Sequence, residues 1–340
     1  MDGAGESVVY WGRKPDRMER TMDMEQTIRG RFAPSPSGRM HLGNLFTALV
    51  AWLSVRSAGG TLVLRMEDLD PDRCRPEYAV TLAEDLRWLG LDWDEGYGMG
   101  GPHGSYLQSE REEYYAACFR RLEEGGLVYP CFCTRAERLA ASAPHRADGR
   151  AVYGGRCRTL TEEERHTLSA TRRPAWRLRV PEERVSFVDG HMGHYEEDLA
   201  RDCGDFIIRR SDGVYAYQLA VAADDGAMEI SQVVRGMDLL DSTPRQLLLY
   251  RLLGLRPPQF FHVPLLLAED GRRLSKRDQD MDMGALRARY RPEEILGKLA
   301  CLAGLLEQYE PVSARELVGT FFWDKIPKTD IIVQMKMFQQ

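Results

Sequence analysis

The sequence predicts an α/β fold, and three stretches carry that expectation: a strand entering a helix through a stiff loop, a second strand closing on acidic residues, and a third, apolar strand closing on arginine. Thr27 to Ala33 suits a short strand, and Leu42, Leu45, Phe46, Leu49, Val50 and Leu53 recur at helical spacing. In the loop between, Pro34 and Pro36 fix their own φ and hold their predecessors extended, while Gly38 permits a turn closed to other residues. A strand that enters a helix this way aims helix N-terminal amides at the C-terminal edge of a sheet, where anions bind. His41 and Gly43 fall there, one a donor for an anionic oxygen and the other leaving room for a flat base; the plain alternative is an ordinary loop with a surface histidine.

Composition sets the outer limits. The chain has 340 residues, 43% hydrophobic and 29% charged, enough for two domains with real cores. No run approaches the ~18 apolar residues of a membrane span and the N-terminus lacks an apolar signal core, so a cytoplasmic protein with no membrane partner is expected. Seven cysteines in no regular framework suit thiols or metal ligands better than disulfides. A net charge of −6 gives no global sign of nucleic-acid binding, so any such contact rests on local patches such as Arg272, Arg273, Lys276 and Arg277.

Taken in order, residues 1–27 are polar and unpatterned, with methionines at 1, 18, 22 and 24, and disorder is expected there. Residues 28–128 read as the first half of the α/β domain. Gly59-Gly60 ends the first helix, Thr61 to Arg65 forms the next strand, and Glu67, Asp68 and Asp70 at its carboxyl end project into a ligand crevice or cap the next helix. Pro76 to Leu89 reads as a helix, and Ser109-x-x-Glu112 as a capping box opening another through Glu124. Residues 129–200 change texture. Cys131-Phe-Cys133 and Tyr153-Gly-Gly-Arg-Cys157 bracket a loop that three thiolates and a fourth ligand could close around zinc. Pro174 to Val180 and Val185 to Val188 follow as strands. In residues 201–262 Asp205 to Arg210, Ser211-Asp-Gly213 and Val214 to Tyr217 give a hairpin signal, and Ile230 to Arg235 a buried strand. Residues 263–327 hold the apolar run Val263 to Leu267, a basic loop, and helices over Pro292–Leu306 and Ser313–Phe322; residues 328–340 are a tail of no recognisable kind.

Arg31 to Asn44 together with Arg273-Leu-Ser-Lys-Arg277 resembles the paired His-Ile-Gly-His and Lys-Met-Ser-Lys-Ser signatures of class I aminoacyl-tRNA synthetases, and the wording of Arg31 to Gly38 is similar to the glutamyl/glutaminyl branch. Cys131, Cys133, Tyr153 and Cys157 match, residue by residue, the zinc site of the short glutamyl-queuosine tRNA(Asp) synthetase paralogues; His145, inside a longer intervening loop, is the competing fourth ligand. The resemblance covers about Ile28 to Lys325. It implies a Rossmann-type class I synthetase catalytic domain with an inserted zinc-binding subdomain and a short helical C-terminal, stem-contact-like region. Asn44 stands where the general motif has its final histidine, and Arg273 and Arg277 replace the outer lysine and serine.

The resemblance further implies ATP-dependent activation of L-glutamate without need of tRNA, with ATP as substrate and Mg²⁺ and Zn²⁺ as metals. Glutamate would be held by Arg31, Phe32, Ala33, Pro34, Ser35, Glu67, Tyr217 and Arg235, and ATP by His41, Gly43, Asn44, Arg273, Leu274, Ser275, Lys276 and Arg277. His41 and Lys276 would be catalytic, neutralising charge on the phosphates. Arg31 and Arg235 offer planar donor forks for one carboxylate, whereas Glu67 and Tyr217 suit the ammonium. About sixty residues follow Arg277, too few for an anticodon-binding domain. A monomer acting on queuosine in the tRNA(Asp) anticodon is therefore expected; a compact enzyme charging the tRNA 3′ end and a synthetase-like protein without chemistry are the alternatives.

Overall fold

The structure, a computed structural model, describes residues 8–11, 27–134, 152–274 and 281–338. In chain order its strands and helices are β1 (Val8–Trp11), β2 (Arg29–Phe32), α1 (Leu42–Ser57), β3 (Thr61–Leu64), α2 (Pro76–Trp88), β4 (Glu95–Gly96), α3 (Glu112–Glu124) and β5 (Val128–Cys131). There follow α4 (Glu162–Ser169), β6 (Ala175–Leu178), β7 (Arg184–Asp189), β8 (Gly193–Asp198), β9 (Ile207–Arg209), α5 (Tyr217–Ala227), β10 (Gln232–Gly236), α6 (Thr243–Leu252), β11 (Gln259–Val263) and β12 (Leu266–Leu267). The chain closes with α7 (Met283–Arg289), α8 (Pro292–Leu302), α9 (Ala314–Leu317) and β13 (Ile331–Ile332). No described helix is long and apolar enough to cross a membrane.

The central sheet is parallel, in the order β11-β10-β2-β3-β4. The chain runs outward from β2 through β3 to one edge and later returns on its other side as β10. That reversal opens a crevice at the carboxyl ends of β2, β3 and β10. Helix α1 spans the sheet and buries residues on every side, from Leu42 to Val55, because β2, β3 and β10 pack on one flank and α8 and α9 on the other. Gly30 permits this approach: a Cβ there would lie 2.3 Å from Val55 Cγ2. A second core joins α3, α5 and α6 to β7 and β11 through Tyr115, Leu219, Tyr250, Phe187 and Phe260.

Several expectations change in the folded chain. Val8–Trp11 pairs in parallel with Arg184–Phe187, so at these four residues the N-terminal stretch is ordered as a strand; the rest of 1–26 lies outside the described residues. Helix α3 begins at Glu112 behind Arg111 without the expected capping box, since Ser109 sits in a 3₁₀ turn and its hydroxyl donates to Asp68 Oδ2 at 2.6 Å. The hairpin's return arm shrinks to one bridge, Arg209 to Tyr215, because Tyr217 instead opens α5, which buries Leu219 to Asp225. The tail is also structured. Ile331–Ile332 adds to β12, Val333 is buried, and Lys298 Nζ donates to Met337 O at 2.6 Å beneath the rings of Tyr290, Tyr309 and Phe338. Strand β7, expected in the inserted subdomain, packs against β11 of the central sheet, and just after it Gly190 N donates to Phe260 O at 2.8 Å.

Candidate active site

A cleft of about 880 Å³ lies over the carboxyl ends of β2, β3 and β10. Its walls bring together the expected glutamate residues Arg31, Phe32, Ala33, Pro34, Ser35, Glu67, Tyr217 and Arg235, and the expected nucleotide residues His41, Gly43, Asn44, Arg273 and Leu274. They come from stretches more than two hundred residues apart in sequence, and the first and the last are brought near each other because β10 inserts beside β2. Ser275, Lys276 and Arg277 lie outside the described residues.

The loop before α1 is held in one shape. Gly38 has φ 142°, Ser37 N donates to Ser35 O at 2.8 Å, and Glu67 N donates to Pro34 O at 3.0 Å, tying the loop to the acidic end of β3. His41 is the N-cap of α1. Asn44 serves that cap, its Oδ1 accepting from His41 N at 3.3 Å, so the residue in place of the motif's last histidine helps to hold the first one. Gly43 also packs close to that histidine: a Cβ there would lie 3.2 Å from His41 Cε1.

Below the cleft lies a buried ionic network. Asp225 Oδ1 stands 2.7 Å from Arg65 and 3.5 Å from Arg31, Glu67 Oε1 is 3.5 Å from Arg65, and Tyr250 donates to Asp225 Oδ2 at 3.3 Å. Asp224 receives Arg111, Gln108 and Tyr115 at 2.7 to 2.8 Å. Burial by itself would drive each group neutral. Asp225 is nevertheless held below the ordinary carboxylate range by Arg65 and Arg31, whereas Glu67 is pushed above it because burial outweighs Arg65 and Arg31. Burial also raises the Tyr217 hydroxyl, with Glu67 adding to it.

Arg235 differs. It is 4% exposed, and its donors go to neutral acceptors: Nε to His262 Nε2 at 2.9 Å, one terminal nitrogen to Gln246 Oε1 at 2.8 Å, the other to Thr243 Oγ1 at 2.8 Å and Leu239 O at 3.4 Å. Burial pulls its pKa down, and among the described residues no carboxylate lies within ion-pair distance of it. The His262 tautomer follows from its partners. Asp189 Oδ2 accepts from Nδ1 at 2.6 Å, so Nδ1 carries the proton and Nε2 is free to accept from the guanidinium. Asp189 in turn accepts from the backbone nitrogens of His191, Met192 and His262. Sequence reasoning missed Arg65, Asp189, Asp224, Asp225, Gln246 and His262. The available signal was a polar or charged residue within an apolar run, such as His262 in Phe260 to Val263 or Asp224-Asp225 after Ala222-Ala223.

Burial lowers His262 to about 4, aided by Arg235 and opposed by Asp189. The unfolded chain therefore binds one more proton than the folded chain between pH 4 and pH 6.5. His262 contributes stability that is complete above about 6.5 and lost on acidification toward 4, with a slope near ~1.4 kcal/mol per pH unit. Unfolding curves of wild type and His262→Asn across that range are expected to differ by this slope; parallel pH profiles would show that His262 does not titrate on unfolding.

The cysteine motif also assembles. The sulfurs of Cys131, Cys133 and Cys157 lie within 4.8 Å of one another, and the Tyr153 hydroxyl is 3.5 Å from Cys131 Sγ and 3.7 Å from Cys133 Sγ. Tetrahedral zinc with Zn–S near ~2.3 Å needs sulfurs roughly 3.8 Å apart, so this donor set fits the ion. Arg177 supports it, donating to Cys131 Sγ at 3.3 Å while lying 3.7 Å over the Tyr153 ring. Burial alone would raise the Cys131 thiol, yet Tyr153 and Arg177 hold it below its usual value. His145 lies outside the described residues.

Residues 27–337 match the family described as tRNA synthetases class I (E and Q), catalytic domain. The chain belongs to this family. A class I synthetase that is similar to it, named glutamyl-Q tRNA(Asp) synthetase in Nitratidesulfovibrio vulgaris, is 52% identical over 90% of this chain and 95% of that protein. A protein of the same name from Symbiobacterium thermophilum is 50% identical over 89% of this chain and 94% of its own length. Glutamate–tRNA ligase 2 of Alkalilimnicola ehrlichii is 48% identical over 81% of this chain, a match spanning 58% of that ligase. The crystal structure of a glutamate tRNA ligase from Elizabethkingia meningosepticum in complex with its amino acid superposes with a TM-score of 0.79 at 29% identity, covering 92% of this chain and 68% of the other. As a class I synthetase, the chain is a ligase built on the α/β domain described above.

Proposed function

We propose that this synthetase activates L-glutamate with ATP and transfers the glutamyl group to the queuosine base of tRNA(Asp). The observation that carries glutamate activation is Arg235, a buried cation at the cleft whose named partners are all neutral, lining the same cleft as the carboxylate of Glu67. Glutamate supplies the carboxylate that Arg235, with Arg31, would hold, and an ammonium that Glu67 and Tyr217 can accept. Glutamine in the same place would leave the guanidinium unpaired, which provides discrimination.

In the reaction an oxygen of the α-carboxylate attacks the α-phosphorus of ATP, the bond to the β-phosphate breaks, and pyrophosphate leaves. An RNA hydroxyl then attacks the mixed anhydride, AMP departs, and the hydroxyl proton passes to solvent. No protein nucleophile is needed; the work is placement and charge neutralisation. His41 at the helix N-cap meets the phosphates, with Arg273 at the cleft's edge and Lys276 of the same basic stretch. Mg²⁺ would neutralise the leaving pyrophosphate. Cys131, Cys133, Tyr153 and Cys157 would hold Zn²⁺, which closes the subdomain as a structural ion.

The acceptor assignment rests on the two relatives named glutamyl-Q tRNA(Asp) synthetase, which match nearly end to end. The test is ATP-dependent transfer of labelled glutamate onto tRNA(Asp) carrying queuosine or guanosine at the wobble position, with tRNA(Glu) in parallel. Label on the queuosine form alone, surviving destruction of the 3′ terminal diol, supports base modification. Label on tRNA(Glu) that is lost with its 3′ diol overturns the acceptor.

A further inference from the structure

Helix α7 is fastened to the loop that carries His41. Met283 N donates to Met40 O at 2.9 Å, and Asp282 pairs with His41 as an isolated β-bridge while its side chain caps α7. The Arg39 side chain lies across Gly284, where a Cβ would come within 3.2 Å of its Cδ and Nε. Beneath both segments sits Asp85 of α2, fully buried. Arg287 of α7 donates to Asp85 Oδ1 at 2.6 Å, lying 4.9 Å over the Trp88 ring, and Arg39 stands 3.8 Å from Oδ2.

A carboxylate at this position is unusual in energetic terms. It lies on the core face of α2 among Leu82, Ala83 and Leu86, where an apolar residue would pack at no desolvation cost. Neither arginine belongs to Asp85's own helix; one precedes His41 by two residues and the other is on α7. Arg287 is hydrogen-bonded to Oδ1 while Arg39 meets Oδ2 as an ion pair at 3.8 Å, so in a close-packed interior one buried carboxylate links both segments.

We propose that Asp85 is a positioning residue: by clasping Arg39 and Arg287 it sets where the His41 loop stands relative to α7, and so where the nucleotide's phosphates are held. This rests on the reading of the cleft as an ATP site. Asp85 touches no substrate and acts through Arg39.

The test compares the full-length wild type with Asp85→Asn, Arg287→Gln and the double variant in glutamate-dependent ATP–pyrophosphate exchange. Each single change is expected to lower kcat and raise KM for ATP, costing about ten- to a hundredfold in kcat/KM, because small displacements of a positioned group are costly. KM for glutamate stays within about twofold, and the double variant is no worse than the poorer single, as for two members of one contact. Hydrogen exchange gives a readout independent of turnover: amides of residues 40–45 and 283–287 lose protection together in Asp85→Asn, while those of β2 do not. Unchanged kinetics, or glutamate KM rising in step with ATP KM, overturns the positioning role, as does unchanged exchange in both segments. Should the wild type itself show no pyrophosphate exchange, the functional reading fails, and the amide comparison still decides the clasp.

Discussion

Arg235→Met is expected to raise KM for glutamate about a hundredfold or more, leave KM for ATP nearly unchanged, and change the stability of the folded protein only modestly. The first part follows from losing charge-assisted hydrogen bonds to a carboxylate, each worth ~1.5–3 kcal/mol. The last part is the distinctive one. Arg235 is buried with neutral partners, so an apolar side chain of similar length relieves its desolvation but leaves His262 Nε2, Gln246 Oε1 and Thr243 Oγ1 without that donor, and the two effects oppose each other. Arg235→Lys is not expected to rescue binding, since one ammonium cannot satisfy His262, Gln246 and Thr243 at once and still meet a ligand. Glutamate titration by calorimetry and thermal unfolding of the same samples make the measurement. Normal glutamate affinity in Arg235→Met, or a large fall in stability, would recast Arg235 as a structural tie.

Replacing both Cys131 and Cys133 by serine is expected to release zinc and lower the unfolding temperature, with the loss concentrated in residues 128–210. Two of three thiolates are removed from a cluster that, with Tyr153, forms a small core of its own, so no larger apolar core compensates. Tyr153→Phe should be milder: the three sulfurs remain within 4.8 Å of one another and water can take the fourth position. Metal analysis of protein prepared without chelator and calorimetric unfolding supply the readouts. Wild-type protein free of zinc, or a double variant that keeps it, would sink the ligand assignment. Because the readouts are metal content and unfolding temperature, they stand apart from any effect on activity.

The legible parts of this protein were local. Pro34, Pro36 and Gly38 dictated the loop, the spacing of Leu42 to Leu53 dictated α1, and the first motif lines one cleft with Arg273 and Leu274 of the second. The Cys131, Cys133, Tyr153 and Cys157 positions likewise converge. What sequence reasoning lacked was the support beneath them. Ser109 suited a capping box but is drawn off by Asp68, and the Val214 to Tyr217 arm suited a strand but yields to α5 because the helix buries more apolar surface. The same holds for the tail, which has no pattern alone and becomes ordered on β12.

The sequence by itself determined the α/β class, the stiff loop before α1 and the residue types that line the cleft, since these depend on residue type and short-range geometry. Only the tertiary structure decided that Arg235 is oriented by a neutral His262 held by Asp189, that Arg65 and Asp225 underlie Glu67 and Arg31, and that Asp85 ties the His41 loop to α7. Those relations join residues as much as two hundred positions apart, and each depends on burial: the same pairs in water would be worth little, whereas in a close-packed interior a charge must find its partner or be neutralised.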